Sequence, residues 1–185
     1  MVKAVADLLC KEYAPIIKDL INKNVAFYRF KETIKWCFGL DEDISIVGSC
    51  DRKTDVITIN LNAVIKAYID KDLKTIEYFL LHEIRHVFQH LIIKDYESGL
   101  DIPIDKSIVE KWIYEGNNYT SAKDKEGNIN INYFLQDSEM DAYAFAYSVM
   151  KYKYGNIDVY IPPMYGSEFY NIVDEWIKAF KEENL

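Results

Sequence analysis

The sequence has no long apolar run and no excess of positive charge. No stretch approaches the roughly 20 apolar residues of a transmembrane helix, and charges at Asp7, Lys11 and Glu12 interrupt the N-terminal segment. We therefore expect neither a membrane span nor a signal peptide. The formal net charge is −8. Nucleic-acid backbones and anionic membranes attract basic surfaces, so we expect neither as a partner.

Cysteine is also scarce. The three cysteines are widely spaced, at Cys10, Cys37 and Cys50, and form no CxxC pair. This pattern fits a reduced cell interior better than a disulfide framework, so we expect a cytoplasmic protein. Hydrophobic residues make up 50% of the 185 residues and aromatic residues 15%. That composition predicts a single domain over residues 1–185 with a substantial core.

Histidine is equally rare, and its placement is informative. All 3 histidines fall within nine residues, and two of them frame the sequence HEIRH at 82–86. On a helix, residues i and i+4 share a face, so His82 and His86 can each offer a nitrogen to one ion, at about 2.0–2.1 Å for zinc. Glu83 lies about 100° around the helix, where it can reach a metal-bound water. Since zinc lowers the pKa of such a water to about 7, Glu83 is the predicted general base and later proton donor to the leaving amine.

The HEIRH sequence needs a helix, and its surroundings predict one. From Leu73 to about Ile93 there is neither glycine nor proline. Apolar residues recur at helical spacing and mark a buried face: Leu73, Ile76, Leu80, Ile84, Val87 and Leu91. His82, His86 and Gln89 fall on a different stripe, suited to lining a cleft. The alternative is an amphipathic helix with ordinary polar histidines, which leaves the HExxH spacing unexplained.

A catalytic zinc site needs a third protein ligand. His90 lies a further turn along the helix, about 6 Å of rise, so a straight helix cannot bring all three histidines to one ion; a position at the rim suits His90 better. Cys50, near the end of a predicted strand, is another option. A second predicted helix, residues 138–146, has small alanines that allow close helix packing. It offers carboxylate candidates: Asp137, Glu139 and Asp141.

HEIRH at 82–86, together with EMDAYAFA at 139–146, resembles the gluzincin zinc metallopeptidases. The pair looks most like the ImmA/IrrE-like branch, whose second motif runs approximately E-x-E-A-N-x-F-A, and the resemblance covers at most residues 73–150. It implies that Glu139 is the third ligand, in preference to Asp141. It also implies one zinc ion per chain, a protein or peptide substrate, and a zincin-like α+β fold. In such a fold a small sheet packs on the HExxH helix, and the C-terminal part is mostly helical.

Two residues depart from the family pattern. Tyr143 stands where the family usually has Asn or Asp, the residue that orients the first histidine. Arg85 stands where the family commonly has Gly. We expect this bulky cation to point away from the metal and to pair with an acidic group on the second helix, either Asp141 or Asp137.

The remaining sequence predicts a helix over residues 2–23 and a short helix over residues 29–38 that stops at Gly39. A β-hairpin is predicted next, with strands Ile44–Gly48 and Asp55–Asn60 and a turn between them. The resemblance suggests that Val56–Asn60 is a sheet edge that binds extended substrate; the alternative is an ordinary core strand. Further helices are predicted over residues 107–114 and from Ser167, separated from their neighbours by loop signals that include residues 115–118.

Three functions follow from these patterns. The first is a zinc metallopeptidase, in which Glu83 activates water and a tyrosine stabilises the oxyanion; the candidate tyrosines are Tyr133, Tyr147 and Tyr165. The second is a non-catalytic, metal-stabilised module that binds a partner protein, which the Tyr143 departure favours. The third is a deformylase-like metal hydrolase, in which Cys50 is a ligand.

Overall fold

The computed structural model describes residues 2–124 and 126–185. The chain divides into two compact units, Met1–Ile84 and Arg85–Leu185. The division lies within one uninterrupted helix, Leu73–Glu97. The expectation of a single domain stays a prediction. The structure belongs to the α+β class, as expected, since a largely helical chain carries one small mixed sheet.

The first unit holds the sheet and the N-terminal helices. Its elements are α1 (Val2–Asn24), a 3₁₀ turn (Val25–Phe27), β1 (Lys35–Gly39), β2 (Gly48–Cys50), β3 (Val56–Asn60), α2 (Leu61–Asp70) and the first half of α3 (Leu73–Glu97). The predicted helices at 2–23 and from Leu73 are confirmed. Asn24 donates a hydrogen bond from Nδ2 to Oε1 of Glu77 at 2.8 Å, and both residues are buried. This contact joins the end of α1 to the start of α3.

The strand order is β1-β3-β2, so β3 is the central strand. It pairs in parallel with β1 and antiparallel with β2. The interpretation of Val56–Asn60 as a sheet edge is therefore wrong, and the alternative of a core strand is correct. Ile57 and Ile59 of this strand are buried, as expected for a strand with neighbours on both sides.

The predicted helix at 29–38 is also wrong, because the end of this segment forms β1. The rings of Trp36 and Phe38 lie 5.3 Å apart on one side of the strand, and this period-two arrangement suits a strand. β1 pairs with a segment about 20 residues away, and no local pattern reports such a partner.

The first hairpin strand is shifted relative to its prediction. β2 begins at Gly48, whereas residues 44 and 45 lie in a turn that is closed by a hydrogen bond from Ile46 N to Asp43 O at 3.1 Å. The side-chain amide of Asn60 donates to the carbonyl oxygens of Asp43 and Ile46 at 3.2 and 2.9 Å. The turn and these side-chain bonds replace the predicted strand over residues 44–46, whereas Val47 still accepts a backbone hydrogen bond from Asn60 N at 2.9 Å.

Side chains of the sheet and of the first half of α3 line a common cavity. The cavity lies between the two layers and has a volume of about 10 Å³. It has room for about one water molecule. It is lined by Val47, Gly48, Ile57 and Ile59 on the sheet side and by Ile76, Phe79, Leu80 and Glu83 on the helix side. Glu83 is the one charged side chain in this apolar lining.

The second unit is helical. It contains the second half of α3, α4 (Lys106–Asn117), α5 (Ile131–Phe134), α6 (Asp137–Tyr154) and α7 (Ser167–Glu182). The predicted helices at 107–114, at 138–146 and from Ser167 are confirmed. Small residues let α6 pack closely, since Ala142, Ala144 and Ala146 are fully buried. Among the residues described, no helix has the length and apolar character needed to cross a membrane.

The loop predicted at 115–118 is wrong, because α4 continues to Asn117. Glu115 accepts hydrogen bonds from the backbone amides of Asp137 and Ser138 at 2.6 and 3.0 Å, and from the Ser138 hydroxyl. These amides belong to the first turn of α6, whose amide groups lack partners within the helix. The contact therefore favours an additional helical turn at the end of α4 and fixes the start of α6.

Candidate metal centre

His82 and His86 lie one turn apart on α3. The helix runs without interruption through the division between the two units, so the two imidazoles keep the i, i+4 spacing that brings them to one face. His82 is buried and His86 is half-buried. Burial restricts both rings, which is what a preformed ligand pair needs.

Glu139 lies in the first turn of α6, with 5% of its surface exposed. The N-terminal end of a helix carries a partial positive charge that stabilises a carboxylate there. Within the second unit, Oε1 of Glu139 lies 3.5 Å from Nε2 of His86. The helix start that Glu115 fixes therefore presents a buried carboxylate to the second histidine of HEIRH.

His82, His86 and Glu139 form a group that could hold a metal ion, since one ligand atom from each lies within 4.8 Å of the others. Two atoms bound tetrahedrally to zinc at about 2.1 Å lie about 3.4 Å apart. The 3.5 Å between His86 and Glu139 matches that separation. Two imidazole nitrogens and one carboxylate oxygen are also a donor set typical of catalytic zinc. The residues present therefore fit a zinc ion.

The other candidate ligands lie outside this group. Among residues 2–124 and 126–185, neither His90 nor Cys50 belongs to the set that could share an ion. The His90 ring is stacked at 6.5 Å on that of His86, which agrees with a place one turn further along α3. Asp137 forms a salt bridge with Lys111 at 2.7 Å on the surface of the second unit.

Asp141 is engaged by Arg85. The guanidinium donates from Nε to Oδ2 at 2.7 Å and from Nη2 to Oδ1 at 3.1 Å. Of the two partners expected for Arg85, the structure selects Asp141. Both carboxylate oxygens of Asp141 are occupied by this pair, which leaves Glu139 as the carboxylate of α6 that faces His86.

Glu83 points towards the sheet of the first unit. It is 7% exposed and lies against Gly48, the first residue of β2. A Cβ atom at Gly48 would be 3.2 Å from the carbonyl oxygen of Thr58 and 3.4 Å from Cγ of Glu83. A side chain at this position would require the Thr58 backbone or the Glu83 side chain to shift by a few tenths of an ångström. The role of Gly48 could not be read from the sequence, where its one signal is a glycine within a strand pattern.

Gln89 is a second residue whose role was missed. It is 2% exposed, and its Oε1 lies 2.8 Å from Nδ1 of His86. Its Nε2 donates to the carbonyl oxygen of Ser138 at 2.9 Å and to Oδ2 of Asp141 at 2.7 Å. The sequence placed Gln89 on the histidine stripe, but the acceptors on α6 could not be read from it.

The candidate oxyanion tyrosines differ in their position relative to Glu139. Tyr147 is eight residues further along α6, about 12 Å of rise, and its ring packs on Phe169 at 6.0 Å. Burial raises the pKa of Tyr147. Tyr165 packs 6.0 Å from the ring of Tyr143, one turn after Glu139. Tyr165 therefore lies nearer than Tyr147 to the Glu139 end of the helix.

Tyr143 is a packing residue of the second unit. It is 6% exposed, and its ring contacts those of Phe134 at 6.1 Å and Tyr165 at 6.0 Å. This aromatic environment accounts for a tyrosine at a position where gluzincins usually have Asn or Asp.

Comparison with protein-family models, with curated proteins and with solved structures gives no match. The resemblance to gluzincins therefore rests on the two motifs alone.

Proposed function

We propose that the protein is a zinc-dependent metallopeptidase of gluzincin type with a zincin-like fold. The observation that carries the proposal is the group His82, His86 and Glu139, with the 3.5 Å contact between His86 and Glu139 at its centre. The adjoining Glu83 completes the HExxH pattern. A two-histidine, one-glutamate donor set is that of thermolysin-type enzymes.

His82, His86 and Glu139 would hold the ion, which would supply Lewis-acid polarisation of the substrate carbonyl and lower the pKa of a water molecule. Glu83 accepts a proton from the attacking water and later donates it to the leaving amine. The other side chains that line the cavity beside Glu83 are apolar, and the cavity has room for about one water molecule. A tyrosine hydroxyl, with Tyr165 and Tyr133 as the candidates, stabilises the oxyanion.

The substrate binds as an extended segment along β2. Because β3 is central, β1 and β2 are the two edges of the sheet. The edge meant here is β2, which contains Gly48. The close approach of Gly48 to Glu83 brings that edge next to the general base. Addition of a peptide strand to a sheet edge is an established recognition mode, and here it would align a scissile bond with Glu83.

A hydrolysis assay tests this function. A fluorogenic peptide library would be incubated with the zinc-loaded protein, with the chelator-treated protein and with the Glu83→Gln variant. Cleavage by the zinc-loaded wild type alone supports the proposal. A protein that binds zinc tightly but cleaves no peptide would instead support the metal-stabilised binding module.

A further inference from the structure

The hydrogen bonds of Gln89 determine which way its amide faces. Nε2 contacts two groups that can only accept, the Ser138 carbonyl and Oδ2 of Asp141. Asp141 also accepts from Arg85 on both of its oxygens. The two hydrogens of the Gln89 amide nitrogen are therefore both used on α6. The reversed orientation would put Oε1 against two acceptors, which is unfavourable.

This orientation determines the proton position on His86. Oε1 of Gln89 carries no hydrogen, so the 2.8 Å contact requires Nδ1 of His86 to be the donor. A neutral imidazole has one N–H and one lone pair. With the hydrogen on Nδ1, the lone pair is on Nε2, the atom that lies 3.5 Å from Glu139.

We propose that Gln89 is a positioning residue, which holds His86 in the tautomer that binds metal through Nε2. The inference rests on the proposed zinc site, in which His86 is a ligand. The ion pair of Arg85 and Asp141 supports this orientation of Gln89. Oδ2 of Asp141, which accepts from Arg85, is one of the two acceptors that orient the Gln89 amide.

The chain of contacts also restricts the His86 ring. Gln89 is three residues after His86 on the same helix and is bonded to α6 through Ser138 and Asp141. The ring therefore has a fixed support on its Nδ1 side. Partners of this kind set ring direction as well as tautomer, and their loss typically lowers metal affinity about 10–100-fold.

The first test is nitrogen NMR of the metal-free wild-type protein at pH 8. Three histidines give few signals, and His86→Ala identifies the one from His86. We expect a protonated Nδ1 and an unprotonated Nε2 for the neutral ring. A protonated Nε2 would overturn the proposal. This measurement needs no Gln89 variant and no bound metal.

The second test is zinc affinity, measured by competition with a chromogenic chelator. Gln89→Met keeps the length of the side chain but removes its donors and acceptor. The matched control is Gln136→Met, since Gln136 also bonds backbone groups in the second unit, accepting from Thr120 N and donating to Tyr133 O. We expect zinc binding to weaken about 10–100-fold in Gln89→Met only. Equal affinities in the two variants, both folded, would contradict the role of Gln89.

The two proposals fail in different ways. If the protein cleaves no peptide, the proposed function fails, whereas the His86 tautomer and the zinc affinity of Gln89→Met still decide the role of Gln89. If peptides are cleaved but His86 carries its proton on Nε2 in the metal-free protein, only the Gln89 proposal fails.

Discussion

Arg85 and Asp141 form a two-bond ion pair between α3 and α6, with donor–acceptor distances of 2.7 and 3.1 Å. The guanidinium carbon also lies 4.2 Å from the ring centre of Phe88 and 4.8 Å from that of Trp176. Arg85 is 3% exposed. The guanidinium of Arg85, next to the second histidine, is therefore stabilised in two ways. Its charge is paired with a carboxylate of α6, and its faces pack against aromatic rings.

Asp141→Asn should destabilise the fold and leave the zinc stoichiometry unchanged. The change removes the charge that compensates a buried guanidinium, which costs about 2–3 kcal/mol in the free energy of unfolding. Urea unfolding measures this, with the exposed Asp174→Asn on α7 as the control. Zinc lost from folded Asp141→Asn but retained at full stoichiometry in Glu139→Gln would point to Asp141, and not Glu139, as the third ligand.

Glu83→Gln should keep its zinc and lose hydrolysis. The amide retains the shape of the side chain but cannot accept the proton of a water molecule, and general-base catalysis contributes about 10²–10⁴-fold to the rate. Turnover of a cleaved peptide and zinc content are measured together. Glu97→Gln, an exposed glutamate near the end of the same helix, is the control. Unchanged turnover in Glu83→Gln would exclude the proposed mechanism.

Gly48→Ala should reduce turnover more than it reduces zinc binding. The added Cβ would lie 3.2 Å from the Thr58 carbonyl oxygen and 3.4 Å from Glu83, so β2 or the carboxylate must move. A misplacement of about 1 Å can cost on the order of 10²-fold in rate. The control is Gly166→Ala, where a Cβ meets no atom within 4 Å. Equal turnover in both variants would show that the approach of β2 to Glu83 has no role in catalysis.

Cys50→Ser should leave zinc binding unchanged, because Cys50 is not among the residues grouped around the ion site in the described part of the chain. Equilibrium dialysis against zinc measures the stoichiometry. A loss of zinc in this variant, with Glu139→Gln still fully loaded, would favour the deformylase-like hydrolase.

The sequence predicted best what depends on local periodicity. Residues of α3 and α6 repeat at helical spacing without glycine or proline, so both helices could be placed, and the spacing within HEIRH determines how its two histidines face. The same periodicity places Gln89 on the face of the helix that carries His82 and His86. These features depend on neighbours within one or two turns.

The sequence predicted less well what depends on distant partners. β1 falls within a predicted helix because its pairing with β3 joins segments about 20 residues apart. The pairing of β3 with β1 as well as β2 makes β3 the central strand. The orientation of the Gln89 amide depends on acceptors some 50 residues away. The choice between Asp141 and Asp137 for Arg85 depended on where α6 begins, which Glu115 determines.

The central claim is that His82, His86 and Glu139 hold one zinc ion. Its most direct test is the metal content of the purified, zinc-equilibrated protein by elemental mass spectrometry, with His82→Ala, Glu139→Ala and His90→Ala measured beside it. We predict about one zinc per chain in the wild type and in His90→Ala, and its loss in the other two variants. A wild type without metal, or zinc retained in Glu139→Ala but lost in His90→Ala, would contradict the account.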